Sequence, residues 1–355
     1  FKQKTAYEIG VRLVGSEMCI RDRVPGEAAI LVRYMGQVAV SRITRPQPGV
    51  VFQRPPEHNF IDKHVWDRLA ELGIAPSPLA DDATFLRRAH LDTIGTLPTV
   101  AEARAFLADK NPEKRNRAVA RLLDRKEYAF YWAMKWADVL RVDNAQLKPQ
   151  VTVAITRWLR RQMAENVPFD RFAREILTVR GNTRSETPAA VYTVLKSPGD
   201  LARSVSQLFL GVRIECAQCH HHPFEKWGQK DYFALAGFFT GVKRDGKAGG
   251  WQKITDGPGS DLKHPRSGQL VPTAGLGSAP ITLEDPLDRR RALSEWMTAP
   301  ENPFFARTIV NRLWAHYFGR GLVEPIDDMR ITNCLLYTSD AADDTPCVEL
   351  GGRRI

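Results

Sequence analysis

Glu215-Cys216-Ala217-Gln218-Cys219-His220-His221-His222-Pro223-Phe224 brings two thiols and three imidazoles together in one short stretch. At its centre stands C-x-x-C-H. Two thiols three residues apart can reach the two vinyl groups on one porphyrin edge and form thioethers, and the imidazole that follows then sits under the iron. In that chemistry Cys216 and Cys219 anchor a haem c and His220 is the proximal ligand. His222 is too close in sequence to cross to the opposite face of the porphyrin. A sixth ligand has to come from elsewhere: His264 in Lys263-His264-Pro265, His316, Met134 or water. His264 is preferred, because a long loop can close over a cofactor.

The same residues serve two other chemistries. As thiolates, Cys216 and Cys219 would hold zinc with His220 or His222 as third ligand and His264 as fourth, or with the fourth position open to water. One C-x-x-C is half of a closed cysteine-rich zinc site. The lack of a second pair counts against that site but not against a mixed one. A dithiol cycling to a disulfide is the third reading, with the adjoining imidazoles lowering a thiol pKa. Other markers are weaker. His316 lies on an expected helix over 309–318 and reads as a packing residue, and Arg87-Arg88 with Asp92 is spaced for helix salt bridges. No G-x-S-x-G, H-E-x-x-H or P-loop occurs. Asp81/Asp82 and Asp327/Asp328 are adjacent pairs, and adjacency does not supply the separation that glycosidase carboxylates need.

The chain that must position these groups has 355 residues, of which 43% are hydrophobic, enough for at least one good core. It has no apolar run long enough for a transmembrane segment. The formal charge is +10. Lys and Arg are interleaved with acids and form no cluster with aromatics, so nucleic-acid binding is not expected. Residues 15–23 and 335–344 resemble the translated sequencing-adapter tails found on assembled environmental reads, and 1–23 and 333–355 are therefore set aside from fold reasoning. Cys19, Cys334 and Cys347 lie in those ends, which leaves Cys216 and Cys219 and excludes a disulfide scaffold.

The rest predicts a mainly α protein. A β-hairpin over 24–45 looks like the last hairpin of a bacterial Ig-like domain, and 46–57 is a proline-rich linker. A multi-helix domain follows over 58–243. Its first helix carries Phe60, Ile61, Val65, Trp66, Leu69 and Leu72 and stops at Gly73. Asp81 caps the second, and Thr99 with Glu102 makes a capping box for the third. Pro112 is placed at the first position of the fourth. The aromatic stripe Tyr128, Tyr131, Trp132, Trp136 reads as core. A helix through Leu201–Leu210 delivers the chain, by way of Gly211, to Cys216, and an apolar helix over 231–239 could wall one side of a haem. Residues 244–286 are expected to be a long irregular loop, and 287–332 the start of a C-terminal helical domain.

Over about 58–243 the chain resembles the planctomycete cytochrome-associated family of unknown function, PSCyt-two. The resemblance is carried by Phe60-Ile61-Asp62-Lys63, Phe85-Leu86-Arg87-Arg88, Leu91-Asp92, Trp132-Ala133-Met134-Lys135-Trp136-Ala137-Asp138 and Cys216-Ala217-Gln218-Cys219-His220. Asn302–Arg307 and Asn311–Val323 resemble the opening of its usual partner, PSD-one. The resemblance implies a periplasmic or cell-surface protein with c-type cytochrome character and a link to polysaccharide breakdown. Its partners would be a redox protein or polysaccharide-degrading enzymes. No reaction comes with the resemblance, and whether the protein is an enzyme stays open.

Overall fold

The computed structural model describes residues 9–14, 25–34, 37–142, 145–223, 225–282 and 289–330. Most of the adapter-like ends, with Cys19, Cys334 and Cys347, lie outside the described residues. The chain divides into two compact units. One comprises Phe1–Pro78, His221–Trp227 and Val310–Ile355, the other Leu79–His220 and Gly228–Ile309.

The first unit opens with an antiparallel meander, β1 (Ile9–Val14), β2 (Gly26–Tyr34) and β3 (Gln37–Arg45). The predicted hairpin is β2–β3, in register from Gly26↔Arg45 to Tyr34↔Gln37. A third strand, β1, joins it from within the stretch set aside at 1–23. Helix α1 (Phe60–Leu72) is capped by Asn59, whose side chain and Asp62 form a capping box. It ends at Gly73 in the left-handed conformation. A side chain there would also meet the Gln47 backbone at 2.6 Å, and Gln47 N–H donates to the Leu72 carbonyl, so the stop signal also docks the linker.

The second unit holds α2 (Asp82–Ile94), α3 (Val100–Ala108), α4 (Lys114–Leu123), α5 (Lys126–Val139), α6 (Pro149–Ala164) and α7 (Phe169–Thr178). The caps at Asp81 and at Thr99/Glu102 form as the sequence requires. Helix α4 begins at Lys114, two residues after the expected proline start. The Asn111 side chain accepts from Glu113 N–H and its carbonyl from Lys114 N–H, and this local turn outcompetes the helix. The aromatic stripe is core for the most part: Trp132 and Trp136 are buried, and Tyr128 and Tyr131 are half-buried. Trp136 packs on Phe172 (5.1 Å between ring centroids), Phe172 stacks on Trp158 (5.4 Å), and Phe169 contacts Phe209 (6.1 Å) and Phe305 (5.0 Å). Such offset ring pairs add about 0.5–1.5 kcal/mol each beyond the area they bury.

Strand β4 (Gly181–Asn182) precedes a 3-10 turn over Thr187–Ala190, the short helix α8 (Val191–Val194), α9 (Pro198–Val205) and α10 (Gln229–Ala236). After α10 the chain is more ordered than a surface loop. β5 (Val242–Gly246) and β6 (Gln252–Asp256) pair, β4 joins β6 through Gly181↔Ile254, and β7 (Leu262–Lys263) pairs with β8 (Leu270–Val271). Ile254, Val271, Ala274 and Leu276 are buried. The sheet order β4-β6-β5 depends on a partner some seventy residues earlier, which local periodicity does not register. Helix α11 (Arg289–Thr298) packs on α7, and α12 (Phe305–Phe318) follows.

One buried polar knot fastens these parts. Arg290, 2% exposed, donates through Nε and Nη2 to both carboxylate oxygens of Asp256 (3.0 and 2.8 Å) and through Nη1 to the Val179 carbonyl. Its guanidinium lies over the Tyr192 ring at 4.9 Å. Tyr192 donates its hydroxyl proton to the Leu177 carbonyl, and Arg244 donates to the carbonyls of Tyr192 and Leu195. Among the described residues no helix is long and apolar enough to cross a membrane.

Candidate functional site

The route to the motif is built from the core outward. The last turn before it, Ser206–Leu210, is a π-turn that buries Phe209 and Leu210. Gly211 ends it at φ +62°, a left-handed backbone that glycine adopts without a Cβ clash. Ser206 is fully buried and donates its hydroxyl proton to the Val212 carbonyl at 2.7 Å, which satisfies both groups. Ile214 is buried immediately before the motif.

Glu215–Gln218 then forms one 3-10 turn, with Cys219 as its C-cap. A 3-10 helix has three residues per turn, so residues three apart lie on one side. Cys216 and Cys219 therefore share a side, and both are exposed free thiols. Ala217 points the other way and is completely buried. The Cys216 carbonyl accepts from the N–H groups of Cys219 and His220, and His220 is exposed.

Two neighbours hold the turn. Gln229 on α10 donates Nε2–H to the Gln218 carbonyl at 3.0 Å. Arg203 on α9 bridges two carboxylates, Asp200 and Glu215 at the head of the turn. Asp200 in turn belongs to a capping box with Ser197. Hydrogen bonds from Ser197 hold the Asp200 carboxyl below the usual carboxylate range, with Arg203 adding to the effect. Burial opposes the charge on Arg203, but its bond to Asp200 and the Glu215 charge carry its pKa above the ordinary value. Tyr232 on α10 reaches back to α9, where a side chain at Gly199 would meet its hydroxyl at 2.4 Å. Burial pushes the Tyr232 phenol up. The motif alone does not point to Arg203, Gln229 or Tyr232. A readable signal existed for the first, since Ser197-Pro198-Gly199-Asp200 spells a capped helix start that sets Arg203 one turn on.

The other sequence candidates have separate places. His264 closes its own turn: its Nδ1 accepts from Arg266 N–H (3.2 Å) and Ser267 N–H (3.4 Å), and its N–H donates to the Gln269 carbonyl. An imidazole that ligates metal through Nε2 keeps its proton on Nδ1 and donates it to a second group. The His264 ring is set the opposite way. His222 is buried and its N–H donates to the Trp227 carbonyl at 2.8 Å. His316 sits on α12 with its ring 4.9 Å from that of Tyr317, and Met134 is exposed on α5. Among the described residues no group of three or more His, Cys, Asp or Glu side chains is gathered to hold a metal ion.

Compared with known families, residues 60–244 match PSCyt2, described as a protein of unknown function (DUF1549). Residues 289–333 match PSD1, also described as a protein of unknown function (DUF1553). No curated protein and no solved structure matches the chain.

Proposed function

The chain belongs to the PSCyt2 family, and on that premise we propose that Cys216, Cys219 and His220 are the covalent attachment point of a c-type haem in an extracytoplasmic redox protein. One observation carries the reading. Two exposed thiols stand on the same side of a turn whose other side is locked by the buried Ala217, with an exposed imidazole next in line. The donor set favours haem over zinc. A zinc site needs three or four protein donors gathered at one point, whereas a porphyrin brings four nitrogens of its own and asks the chain for two thiols and one imidazole.

In this reading Cys216 and Cys219 supply the thioether sulfurs, and His220 supplies the proximal nitrogen. Arg203, through Glu215, and Gln229, through the Gln218 carbonyl, keep the turn in the geometry that attachment requires. Bound there, the haem supplies one-electron chemistry at its iron. Attachment implies export to the periplasm or cell surface. The partner class is a redox protein, or an enzyme of polysaccharide breakdown that receives or delivers electrons.

The test is the absorption spectrum and denaturing mass of the full chain exported through a haem-maturation system. A sharp Soret band and a mass gain of one haem are expected. Cys216→Ser should abolish the two-thioether product while changing stability by no more than about 0.5 kcal/mol, because the thiol is exposed. A colourless protein carrying one zinc ion would overturn the redox reading and move the site to structure.

A further inference from the structure

Where α4 gives way to α5, beside the end of α6, lies a cavity of about 480 Å³ that no motif marks. Part of its lining is apolar, from Leu123, Ala129, Met163 and Ala164. The rest brings polar groups, among them Asp124, Lys126, Tyr128 and Asn166. From this division and from the state of those four groups we infer that the cavity binds a free α-amino acid with an apolar side chain.

The local fold sets each group in place. Asp124 ends α4, its N–H donating to the Ala120 carbonyl, and Lys126 is the first residue of α5. Tyr128 stands in the first turn of α5 with its ring 6.1 Å from that of Trp132, a core residue. Asn166 follows α6 at φ +46°, where its N–H donates to the Met163 carbonyl and Val167 N–H to the Gln162 carbonyl. That is the left-handed stop of a helix, usually glycine. Asparagine also adopts it, and unlike glycine it brings an amide to the cavity.

The charges around the cavity are spent unevenly. Arg125, also in the lining, donates through Nε and Nη2 to both carboxylate oxygens of Glu127 (3.3 and 2.9 Å) and through Nη1 to Glu102 at 2.7 Å. Its charge is answered. Among the described residues, the side chains of Asp124, Lys126 and Asn166 and the Tyr128 hydroxyl form no hydrogen bond and no ion pair. Burial pushes the Tyr128 phenol up, which keeps it protonated and able to donate. One anion, one cation, one hydroxyl and one amide thus stand uncommitted beside apolar side chains.

That set fits a zwitterion. The Asp124 carboxylate accepts from an ammonium, while the Lys126 ammonium on its long stem and the Tyr128 hydroxyl donate to a carboxylate. A simple anion meets Asp124 as a like charge, and a simple cation meets Lys126 in the same way. A neutral ligand leaves both charges unanswered. The apolar lining receives the side chain, with Met163 adapting to its shape. The volume falls in the range of small-molecule sites.

The experiment is calorimetric titration of the full chain with leucine, with isocaproate and isoamylamine, which keep its side chain but lack the ammonium or the carboxylate, and with glycine and glucose. Saturable one-to-one binding of leucine is expected, about fivefold or more tighter than that of any of the others. Asp124→Asn should weaken leucine about fivefold without weakening isocaproate, and Lys126→Gln should weaken leucine about fivefold without weakening isoamylamine. Both residues are exposed, so these variants should melt with the wild type. Absence of saturable binding at millimolar leucine would overturn the inference. So would isocaproate or isoamylamine binding as tightly as leucine, since one of the two charges would then be idle. An Arg117→Gln variant, altered on α4 outside the cavity, that loses as much affinity as Lys126→Gln would overturn it too, since that result would mean a diffuse surface effect.

Discussion

The motif turn and the Arg290–Asp256 knot handle reactive and charged groups in opposite ways. At the turn, Cys216, Cys219 and His220 face solvent, and the buried residue is the smallest one, Ala217. At the knot, the charges are inside, and their partners come from the chain itself: two carboxylate oxygens, four carbonyls and an aromatic face. A group that must react with something outside the chain is left exposed on a locked backbone. A group whose hydrogen bonds are consumed internally serves the fold. The difference separates a candidate site from structural charge without any appeal to motif.

The largest effect should come from breaking the knot. Asp256→Ala leaves Arg290 buried without its counter-ion and should cost about 3–5 kcal/mol, read as a shift in the urea unfolding midpoint. A loss below about 1 kcal/mol would mean that the knot is not what holds the β4-β6-β5 sheet to α7 and α11. Next comes the buried side of the turn. Ala217→Leu forces bulk into a site with no exposure and should destabilise by about 1–3 kcal/mol. Haem attachment should fall with it, although neither thiol nor the imidazole has changed. Normal attachment in that variant would show that the thiols do not depend on the turn that presents them.

The smallest effect concerns Asp200, which links the two themes as a carboxylate used locally beside the exposed motif. Its folded pKa lies below the ordinary value of 3.8, held there first by the Ser197 hydroxyl. The stabilisation it provides is therefore complete above 3.8 and is lost as pH falls through the folded value. Asp200→Asn should cost about 0.3–1 kcal/mol at neutral pH. The gap from wild type should close as the pH falls below 3.8 and through the folded pKa of Asp200. A gap independent of pH would assign the effect to shape rather than charge.

By itself the sequence determined the local elements and the chemistry on offer. Gly73 as a stop, Asp81 and Thr99 as caps and the aromatic stripe of α5 as core all follow from forces acting within a few residues. The same holds for C-x-x-C-H, because its spacing is its geometry. Where local competition was close, as between Pro112 and the Asn111 turn, the reading moved by two residues. Tertiary structure decided everything that joins distant segments. It paired β4 with β6 and gave Glu215 to Arg203 and the Gln218 carbonyl to Gln229. No period or cap encodes these meetings. They depend on which buried surfaces pack together, and that free energy belongs to the assembled core rather than to any window of the chain.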